Sequence, residues 1–212
     1  MTAARRIVVA TTNPHKIEEF REILADLPIE LVSPNTLNLR VEVAETGATF
    51  AENAVLKAIA YAEAAGLLAL ADDSGLEIDA LGGEPGVYSA RWAGEGVSYP
   101  ERFRILEQRL AGVPDERRTA RYRCAVALAE PAPRGLFAVT EGTVEGRISR
   151  EARGTGGFGY DPIFYVPEER RTFGEMSADE KHRISHRARA VAAARPALAR
   201  LASRTQNALS SS

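Results

Sequence analysis

The short apolar run Leu67–Ala71 ends in two adjacent carboxylates, Asp72 and Asp73. A run of this length bounded by turn residues is typical of a buried strand. Open α/β sheets bind ligands at the ends of such strands, and adjacent carboxylates repel each other unless a proton or cation lies between them. Oxygen ligands suit Mg²⁺. The stretch therefore predicts an α/β sheet with a metal-centred site at its rim, although alone an Asp-Asp-Ser-Gly turn is the simpler interpretation.

Composition narrows the class of protein. The 212 residues are 45% hydrophobic and 26% charged, which is ordinary for a globular domain with a sizeable core. A formal net charge of −2 argues against a binder of nucleic acid polymers or of membrane surfaces, because both need a basic face. The N-terminal apolar stretch is too short for a signal peptide or a membrane span. The single cysteine, Cys124, cannot form an internal disulfide, so we expect a cytoplasmic protein.

Lysine is rare in this chain. Of the 27 basic residues only Lys16, Lys57 and Lys181 are lysine, and the others are arginine. A lysine ammonium is a compact point charge that arginine does not replace at a phosphate. Chance retention on the surface is the alternative, so the positions of the three lysines decide between the two.

The residues Thr11–Lys16 join a buried strand to a helix. Asn13 is a good N-cap and Pro14 a good first helical residue, so the turn presents backbone N–H groups at a helix N-terminus. A cation such as Lys16 is unfavourable there unless an anion is bound. The turn predicts an anion site, without the glycines of a Walker A loop. A plain strand-to-helix turn is about as probable from this segment alone.

A second helix is expected after Glu45, opened by Thr49 with Glu52 three residues later. Asn53 and Lys57 recur at helical spacing and form a polar stripe on it. A solvated helix face is the alternative interpretation of both residues.

Two further motifs lie in the second half of the chain. Gly154–Pro162 contains a formal Gly-x-Gly-x-x-Gly, but no helix follows it, so a dinucleotide-binding loop is rejected. Phe158 can instead stack on a planar base, with a tight turn before a hairpin as the competing explanation. Lys181 and Ser185–Arg187 follow near two helix starts.

These motifs occur in a specific order: Thr11–Lys16, Glu45–Gly47 with Phe50–Ala54 and Lys57, Ala71–Gly75, Leu81–Gly83, Pro85-Gly86, Gly154–Pro162 and Ser185–Arg187. Together they resemble the inosine triphosphate pyrophosphatase family, also called XTP/dITP diphosphatases, from Val8 to about Ala190. The resemblance implies a Mg²⁺-dependent homodimer that hydrolyses deaminated purine nucleotides (ITP, dITP, XTP) to the monophosphate and pyrophosphate. It also implies an α/β fold, with a long mixed β-sheet flanked by helices and two lobes around a central active-site cleft.

The resemblance also implies roles for individual residues. Asp73 is expected to be catalytic, Glu45 and Asp73 to hold the metal, and Asp72 and Asn53 to support them. The substrate-binding residues implied are Thr11, Thr12, Asn13, Pro14, His15, Lys16, Lys57, Ser74, Phe158, Gly159, Tyr160, Asp161, Lys181, His186 and Arg187. His15 stands where other members often have a small residue. All three lysines fall within this set.

The domain prediction is a single domain of two lobes over residues 1–204, with a disordered tail over residues 205–212. Two other functions remain open. An aspartyl-phosphate enzyme would need Asp-x-Asp-Gly-Thr, which Asp72–Gly75 does not match. A nucleotide sensor without turnover is disfavoured by the intact carboxylates at Glu45, Asp72 and Asp73.

Overall fold

The computed structural model of this protein describes residues 4–94 and 96–209. Within these residues seven strands form one mixed sheet, and five α-helices flank the strands in sequence. The strands are β1 Arg5–Val9, β2 Ile29–Val32, β3 Leu68–Ile78, β4 Thr119–Glu130, β5 Gly135–Ile148, β6 Phe164–Val166 and β7 Arg171–Thr172. The helices are α1 Pro14–Ile23, α2 Phe50–Ala65, α3 Tyr99–Arg109, α4 Ala178–Ile184 and α5 His186–Leu209. The predicted mixed α/β fold is confirmed.

The strand order is β2-β1-β3-β4-β5-β6-β7. Strand β1 pairs in parallel with β2 and with β3, and its connection to each partner contains a helix, as a parallel crossover requires. Strands β5, β6 and β7 pair antiparallel. The helical crossovers therefore place α1 and α2 beside β3, where the acidic pair lies.

The helix starts follow the predicted caps. The Asn13 side chain accepts the His15 N–H at the start of α1, and Thr49 accepts the Glu52 N–H at the start of α2. Gly66 ends α2 with φ 63°, a left-handed conformation that a residue without Cβ adopts freely. Local sequence chemistry thus determines where α1 and α2 begin and where α2 ends.

Several predicted element boundaries are wrong. Strand β3 continues to Ile78, so Asp72 and Asp73 lie inside a strand and not at its end. The polar pair Glu141-Gly142, which in the sequence predicts a turn between two strands, lies within one continuous strand, β5. Ile59, whose helical spacing predicts a place in the core, is 37% exposed on α2. Pro196, which predicts a kink or break in the final helix, does not interrupt α5.

The chain divides into two compact units. The first comprises Met1–Asp73, Ala125–Gly142 and Ala188–Ser212, and its core includes Val8, Phe20 and Leu70. The second comprises Ser74–Cys124 and Thr143–Arg187, and its core includes Leu76, Phe164 and Phe173. Strands β3, β4 and β5 each contribute residues to both units.

No helix in the described part of the chain combines the length and apolar character needed to cross a membrane. The predicted tail, 205–212, overlaps the end of α5 at Leu209, and residues 210–212 lie outside the described residues. The disordered tail and the limits of the domain stay predictions.

Candidate functional site

Strand β3 carries the acidic pair, and each carboxylate meets a lysine from a different helix. Successive side chains of a strand point to opposite faces, so Asp72 and Asp73 diverge. Lys16 Nζ from α1 lies 2.9 Å from Asp72 Oδ2. Lys57 Nζ from α2 lies 2.9 Å from Asp73 Oδ1. Both carboxylates are buried and have therefore lost hydration, and the ion pairs with the lysines compensate for that loss.

Lys57 bridges two carboxylates. Its Nζ also lies 2.9 Å from Glu45 Oε1, so Glu45 and Asp73 converge on one cation. Asn53 is fully buried beside them and donates from Nδ2 to Asp73 Oδ2 at 3.3 Å. Its Oδ1 accepts the Gly47 N–H at 2.8 Å, which ties the segment bearing Glu45 to α2. We call Lys16, Glu45, Asn53, Lys57, Asp72 and Asp73 the carboxylate–lysine cluster.

Gly47 is required by this packing. A Cβ at position 47 would lie 2.6 Å from Glu52 Cβ and 2.7 Å from Asn53 Oδ1. The backbone therefore approaches α2 more closely than any other residue would permit.

The carboxylate–lysine cluster raises the pKa values of both Asp73 and Lys57. Burial raises the pKa of Asp73, although the Lys57 ammonium opposes that shift. Burial alone would lower the pKa of Lys57, but the nearby Asp73, Asp72 and Glu45 carboxylates outweigh it and the pKa is raised. Lys57 thus stays a cation, while Asp73 is a stronger proton acceptor than an exposed aspartate.

The donor set suits a hard cation shared with a substrate. Among the described residues, no group of three or more His, Cys, Asp or Glu side chains is placed to hold a metal ion. Mg²⁺ commonly takes only one or two carboxylates and completes its octahedron with water and phosphate oxygens. Glu45 and Asp73, which already converge on the Lys57 ammonium, fit that pattern.

The turn Thr11–Lys16 leads into the N-terminus of α1 as predicted, and its role as an anion site stays a prediction. Thr11 Oγ1 accepts the Asn13 N–H at 3.2 Å, and Asn13 Oδ1 accepts the His15 N–H at 3.0 Å. Thr12, Pro14 and His15 are exposed at the start of α1. The side chain of Asn13 is thus engaged as a cap, and Lys16 pairs with Asp72.

A second group of predicted residues assembles in the second unit. Asp161 Oδ2 accepts from Lys181 Nζ at 2.7 Å and from the Phe158 N–H at 2.8 Å. Lys181 Nζ lies 4.9 Å from the centre of the Phe158 ring, a cation–π contact. Asp161 and Lys181 are almost completely buried. One carboxylate therefore sets the positions of the ring and of the lysine.

His186 and Arg187 lie at the start of α5. The His186 ring stacks on Tyr122, with centroids 4.5 Å apart and planes 10° apart. Arg187 Nη2 donates to Ser74 Oγ at 3.0 Å, and its Cζ lies 5.8 Å from the centre of the Phe158 ring. We call Ser74, Tyr122, Phe158, Asp161, Lys181, His186 and Arg187 the ring cluster.

Tyr160 and Gly159 have structural contacts in this unit. Tyr160 is buried, donates its hydroxyl to the Ser89 carbonyl at 3.0 Å, and meets Tyr99 edge to face. A Cβ at Gly159, where φ is 68°, would reach ordinary contact with Tyr99. Tyr160 was predicted to bind the substrate, but its side chain is buried and makes its contacts within the core.

The glycines of Gly154–Pro162 permit close backbone approach. At Gly154, where φ is 78°, a Cβ would lie 1.9 Å from the Gly174 carbonyl oxygen. At Gly157, where φ is 67°, a Cβ would lie 2.0 Å from Asp161 Oδ2. Glycine at position 154 thus lets the loop pack against the backbone of Gly174. Glycine at position 157 leaves room for the Asp161 carboxylate, which orients Phe158.

Sequence reasoning missed two aromatic members of this unit. Tyr122 was assigned to a strand without chemistry, and Phe173, whose ring centre lies 5.7 Å from Lys181 Nζ, was not considered. The alternation of Ala120, Tyr122 and Cys124 predicts inward side chains, but not which residue they contact.

The fold and the two clusters define a class of α/β protein in which buried carboxylates and lysines are grouped in a way that suits an anionic substrate. The sequence model of the Ham1 family matches residues 7–197. The chain belongs to the Ham1 family. It is 50% identical over 196 residues to a dITP/XTP pyrophosphatase of Desulforamulus reducens, covering 92% of this chain and 96% of that protein. It is 46% identical over 191 residues to a dITP/XTP pyrophosphatase of Bacillus subtilis, covering 90% and 96%.

Solved structures agree with these relatives. A HAM1 protein from Coxiella burnetii superposes with a TM-score of 0.82 at 42% identity, covering 92% of this chain and 99% of that one. The Staphylococcus aureus Ham1 protein gives 0.80 at 40% identity, covering 92% and 98%. These comparisons confirm the family resemblance that the motifs indicate. The two relatives are named dITP/XTP pyrophosphatases, which is the activity of the family that the motifs resemble.

Proposed function

We propose that this protein is a hydrolase of non-standard purine nucleoside triphosphates. It would cleave ITP, dITP and XTP between the α and β phosphates, with Mg²⁺, to the monophosphate and pyrophosphate. Such an activity removes deaminated nucleotides from the nucleotide pool. The dITP/XTP pyrophosphatases of similar sequence support this proposal.

The observation that carries the proposal is the placement of the three lysines. Each one forms a largely buried ion pair with an aspartate: Lys16 with Asp72, Lys57 with Asp73 and Lys181 with Asp161. Arginine supplies every other basic side chain, so lysine is kept only in these clusters. Phosphoryl transfer depends mainly on positioning and on neutralising charge, which compact ammonium groups provide.

In the carboxylate–lysine cluster, Glu45 and Asp73 would hold Mg²⁺, which supplies charge neutralisation at the phosphates when bound. Asp73, whose pKa is raised by burial, would accept a proton from the attacking water. Lys57 would meet a phosphate oxygen, and Asn53 would hold Asp73 in orientation. Asp72 would support this arrangement by holding the Lys16 ammonium in place at the turn Thr11–Lys16.

The ring cluster would select the base. Hypoxanthine and xanthine present an acceptor oxygen at position 6, where adenine presents a donor amino group. The donors of His186 and Arg187 would satisfy that oxygen, and adenine would leave them unpaired, at a cost of about 1–3 kcal/mol. Guanine would be excluded at position 2, where its amino group needs an acceptor. Stacking on Phe158 favours all purines alike.

The test is a panel of ITP, dITP, XTP, ATP and GTP, with and without Mg²⁺, in which both products are identified. We expect monophosphate and pyrophosphate in equal amounts, preference for the deaminated purines by orders of magnitude, and loss of turnover with a chelator. Release of orthophosphate, or binding without turnover, would overturn the proposal and favour another phosphohydrolase or a sensor.

The proposal extends to assembly and location. We propose a homodimer in the cytoplasm, with a purine nucleoside triphosphate as its substrate and no nucleic acid polymer or membrane as partner. Sedimentation at several protein concentrations tests the dimer, and fractionation of the source cells tests the location.

A further inference from the structure

Among the members of the ring cluster, Tyr122 alone is absent from the substrate-binding residues that the family resemblance implies. It lies on β4, is only 7% exposed, and carries its ring into the core of the second unit. Its neighbours in this unit are aromatic. The Phe164 ring lies 4.6 Å away in a tilted arrangement, and the Phe173 ring lies 6.0 Å away and nearly parallel, at 18°. Packing against two rings leaves Tyr122 little freedom to change rotamer.

The stack between Tyr122 and His186 is closer to parallel than the contacts of Tyr122 with Phe173 and Phe164. The ring centroids are 4.5 Å apart and the planes differ by 10°, so the two rings share one orientation. His186 is 4% exposed and stands at the first position of α5. An imidazole ring presents its N–H groups in its own plane. The orientation of the Tyr122 ring therefore sets the plane in which His186 can donate.

Tyr122 is fixed at its other end by the same carboxylate that orients Phe158. Its hydroxyl hydrogen-bonds to Asp161, and burial together with that carboxylate raises the pKa of Tyr122 well above its ordinary value. Asp161 also accepts from Lys181 and from the Phe158 N–H. The Tyr122 side chain thus connects His186 to Asp161. Asp161 is the carboxylate that sets the positions of Phe158 and Lys181.

We infer that Tyr122 is a positioning residue for base selection, which holds the His186 ring in the plane that meets the oxygen at position 6 of the purine. The effect on base selection rests on the proposed function, because it concerns how the ring cluster recognises a deaminated base. The positioning itself is a property of the free protein and can be measured without substrate.

The first measurement is the NMR spectrum of the histidine ring protons. The chain has three histidines, so a His186→Gln variant assigns the signals of His186. A ring stacked on tyrosine shifts those protons upfield, and we expect Tyr122→Leu to remove the shift and Tyr122→Phe to retain it. Unshifted His186 protons in the unmodified protein would overturn the stack itself, whatever the stability of the variants.

The second measurement is the kinetic selectivity for ITP over ATP, because adenine lacks the oxygen at position 6 whereas guanine shares it. We expect Tyr122→Leu to lower the ratio of the two kcat/KM values by about two- to tenfold, as befits the loss of one aromatic pair. Tyr122→Phe should rescue most of the selectivity because the stack remains. Tyr122→Met, whose longer and more flexible side chain adapts to the space of the ring, replaces Tyr122→Leu if that variant does not fold.

Tyr165→Leu is the matched control. Tyr165 lies on β6 in the same unit, and its ring is covered by Arg153 at 5.4 Å. The Tyr165→Leu variant should have a lower melting temperature and an unchanged ITP-over-ATP ratio. An unchanged ratio in a folded Tyr122→Leu variant, or an equal loss in Tyr165→Leu, would overturn the role of Tyr122. A wild-type protein that does not hydrolyse ITP would instead refute the proposed function, and the NMR result would stand.

Discussion

At the scale of single residues, Asp73 is the side chain on which the proposed hydrolysis depends. It touches Lys57 through one oxygen and Asn53 through the other, and burial raises its pKa. Both contacts hold the carboxylate in one orientation. Two neighbours and a dry environment thus suit Asp73 to the proposed roles of metal ligand and base.

We expect Asp73→Asn to fold and to lose turnover by on the order of a hundredfold or more, because an amide neither binds Mg²⁺ as well nor accepts a proton. Pyrophosphate release and the melting temperature are the measurements. Glu18→Gln, which changes an exposed carboxylate on α1 that lies 3.5 Å from Arg21, is the control and should be silent. Near-wild-type release by Asp73→Asn would remove Asp73 from the reaction.

Lys57→Arg tests whether a point charge is needed. The guanidinium is larger than the ammonium, which sits 2.9 Å from both Glu45 and Asp73, so we expect kcat/KM to fall at least about tenfold although charge is retained. Arg104→Lys, on the exposed face of α3, makes the reverse swap and should leave kinetics unchanged. Unaltered kinetics in Lys57→Arg would show that the site tolerates either cation.

At the scale of elements, the loop Gly154–Pro162 places Phe158 and Asp161 together. Gly157 shows the reason for glycine there, since its Cβ would meet the Asp161 oxygen that receives Lys181. Gly135 offers a comparison, because its φ of 65° is similar but a Cβ there would meet nothing within 4 Å.

We expect Gly135→Ala to lose about 1–2 kcal/mol of stability because it forces alanine into a left-handed conformation, and Gly157→Ala to lose more because its Cβ also displaces Asp161. Only Gly157→Ala should also raise the KM for ITP, by about tenfold, as Asp161 and its charge-assisted hydrogen bonds are displaced. Steady-state kinetics and urea unfolding separate the two effects. A similar KM in both variants would mean that Asp161 adjusts without cost to substrate binding.

Helix α4, which carries Lys181, begins with a capping box. Glu180 accepts the Ser177 N–H and pairs with Arg171, and these contacts lower the pKa of Glu180 to about 2. Because the folded pKa lies below the ordinary value of 4.5, the contact stabilises the protein above pH 4.5 and this stabilisation is lost as the pH falls towards 2.

Glu180→Gln should therefore lower the melting temperature at pH 6 and narrow its difference from the wild type as the pH falls towards 2. The measurement is thermal unfolding at several pH values. Glu168→Gln, an exposed glutamate two residues before Arg170, is the control and should show no such convergence. A difference that stays constant with pH would argue against a charged cap.

At the scale of the whole molecule, side-chain contacts join the distant segments of the first unit. Arg5 of β1 donates to the Leu201 carbonyl of α5 at 2.7 Å and pairs with Glu130 of β4 at 3.0 Å. Arg195 of α5 pairs with Asp26 at 2.8 Å, and Thr140 of β5 donates to the Ala190 carbonyl. The C-terminal helix is thereby attached to the first strands of the chain.

We expect Glu130→Ala to lower the free energy of unfolding by about 2–4 kcal/mol, because it leaves the charge of Arg5 without this nearly buried carboxylate. Glu30→Ala is the control, since Glu30 is half exposed and lies 3.7 Å from Arg6, the residue next to Arg5. Urea unfolding measures both. Equal, small effects would show that the Arg5–Glu130 pair contributes no more than a surface pair.

Local patterns predicted much of this architecture. The caps at Asn13 and Thr49 were correct because an N-cap depends on residues within one turn. The extent of β3 and β5 was not, because polar residues such as Asp72 and Glu141 look like turns until a neighbouring strand pairs with them. Cross-strand pairing is a long-range property that a single segment does not reveal.

The sequence by itself determined the family, the mixed α/β class and the three lysines as candidates for phosphate chemistry. The tertiary structure decided what each of those residues touches: Lys57 bridging Glu45 and Asp73, and His186 lying on Tyr122. Motif spacing along the chain restricts which residues share a helix face or a strand. Contacts such as those of Tyr122 and His186, which are 64 positions apart in the sequence, arise only when strands and helices pack, because burial and charge pairing act on distance in space.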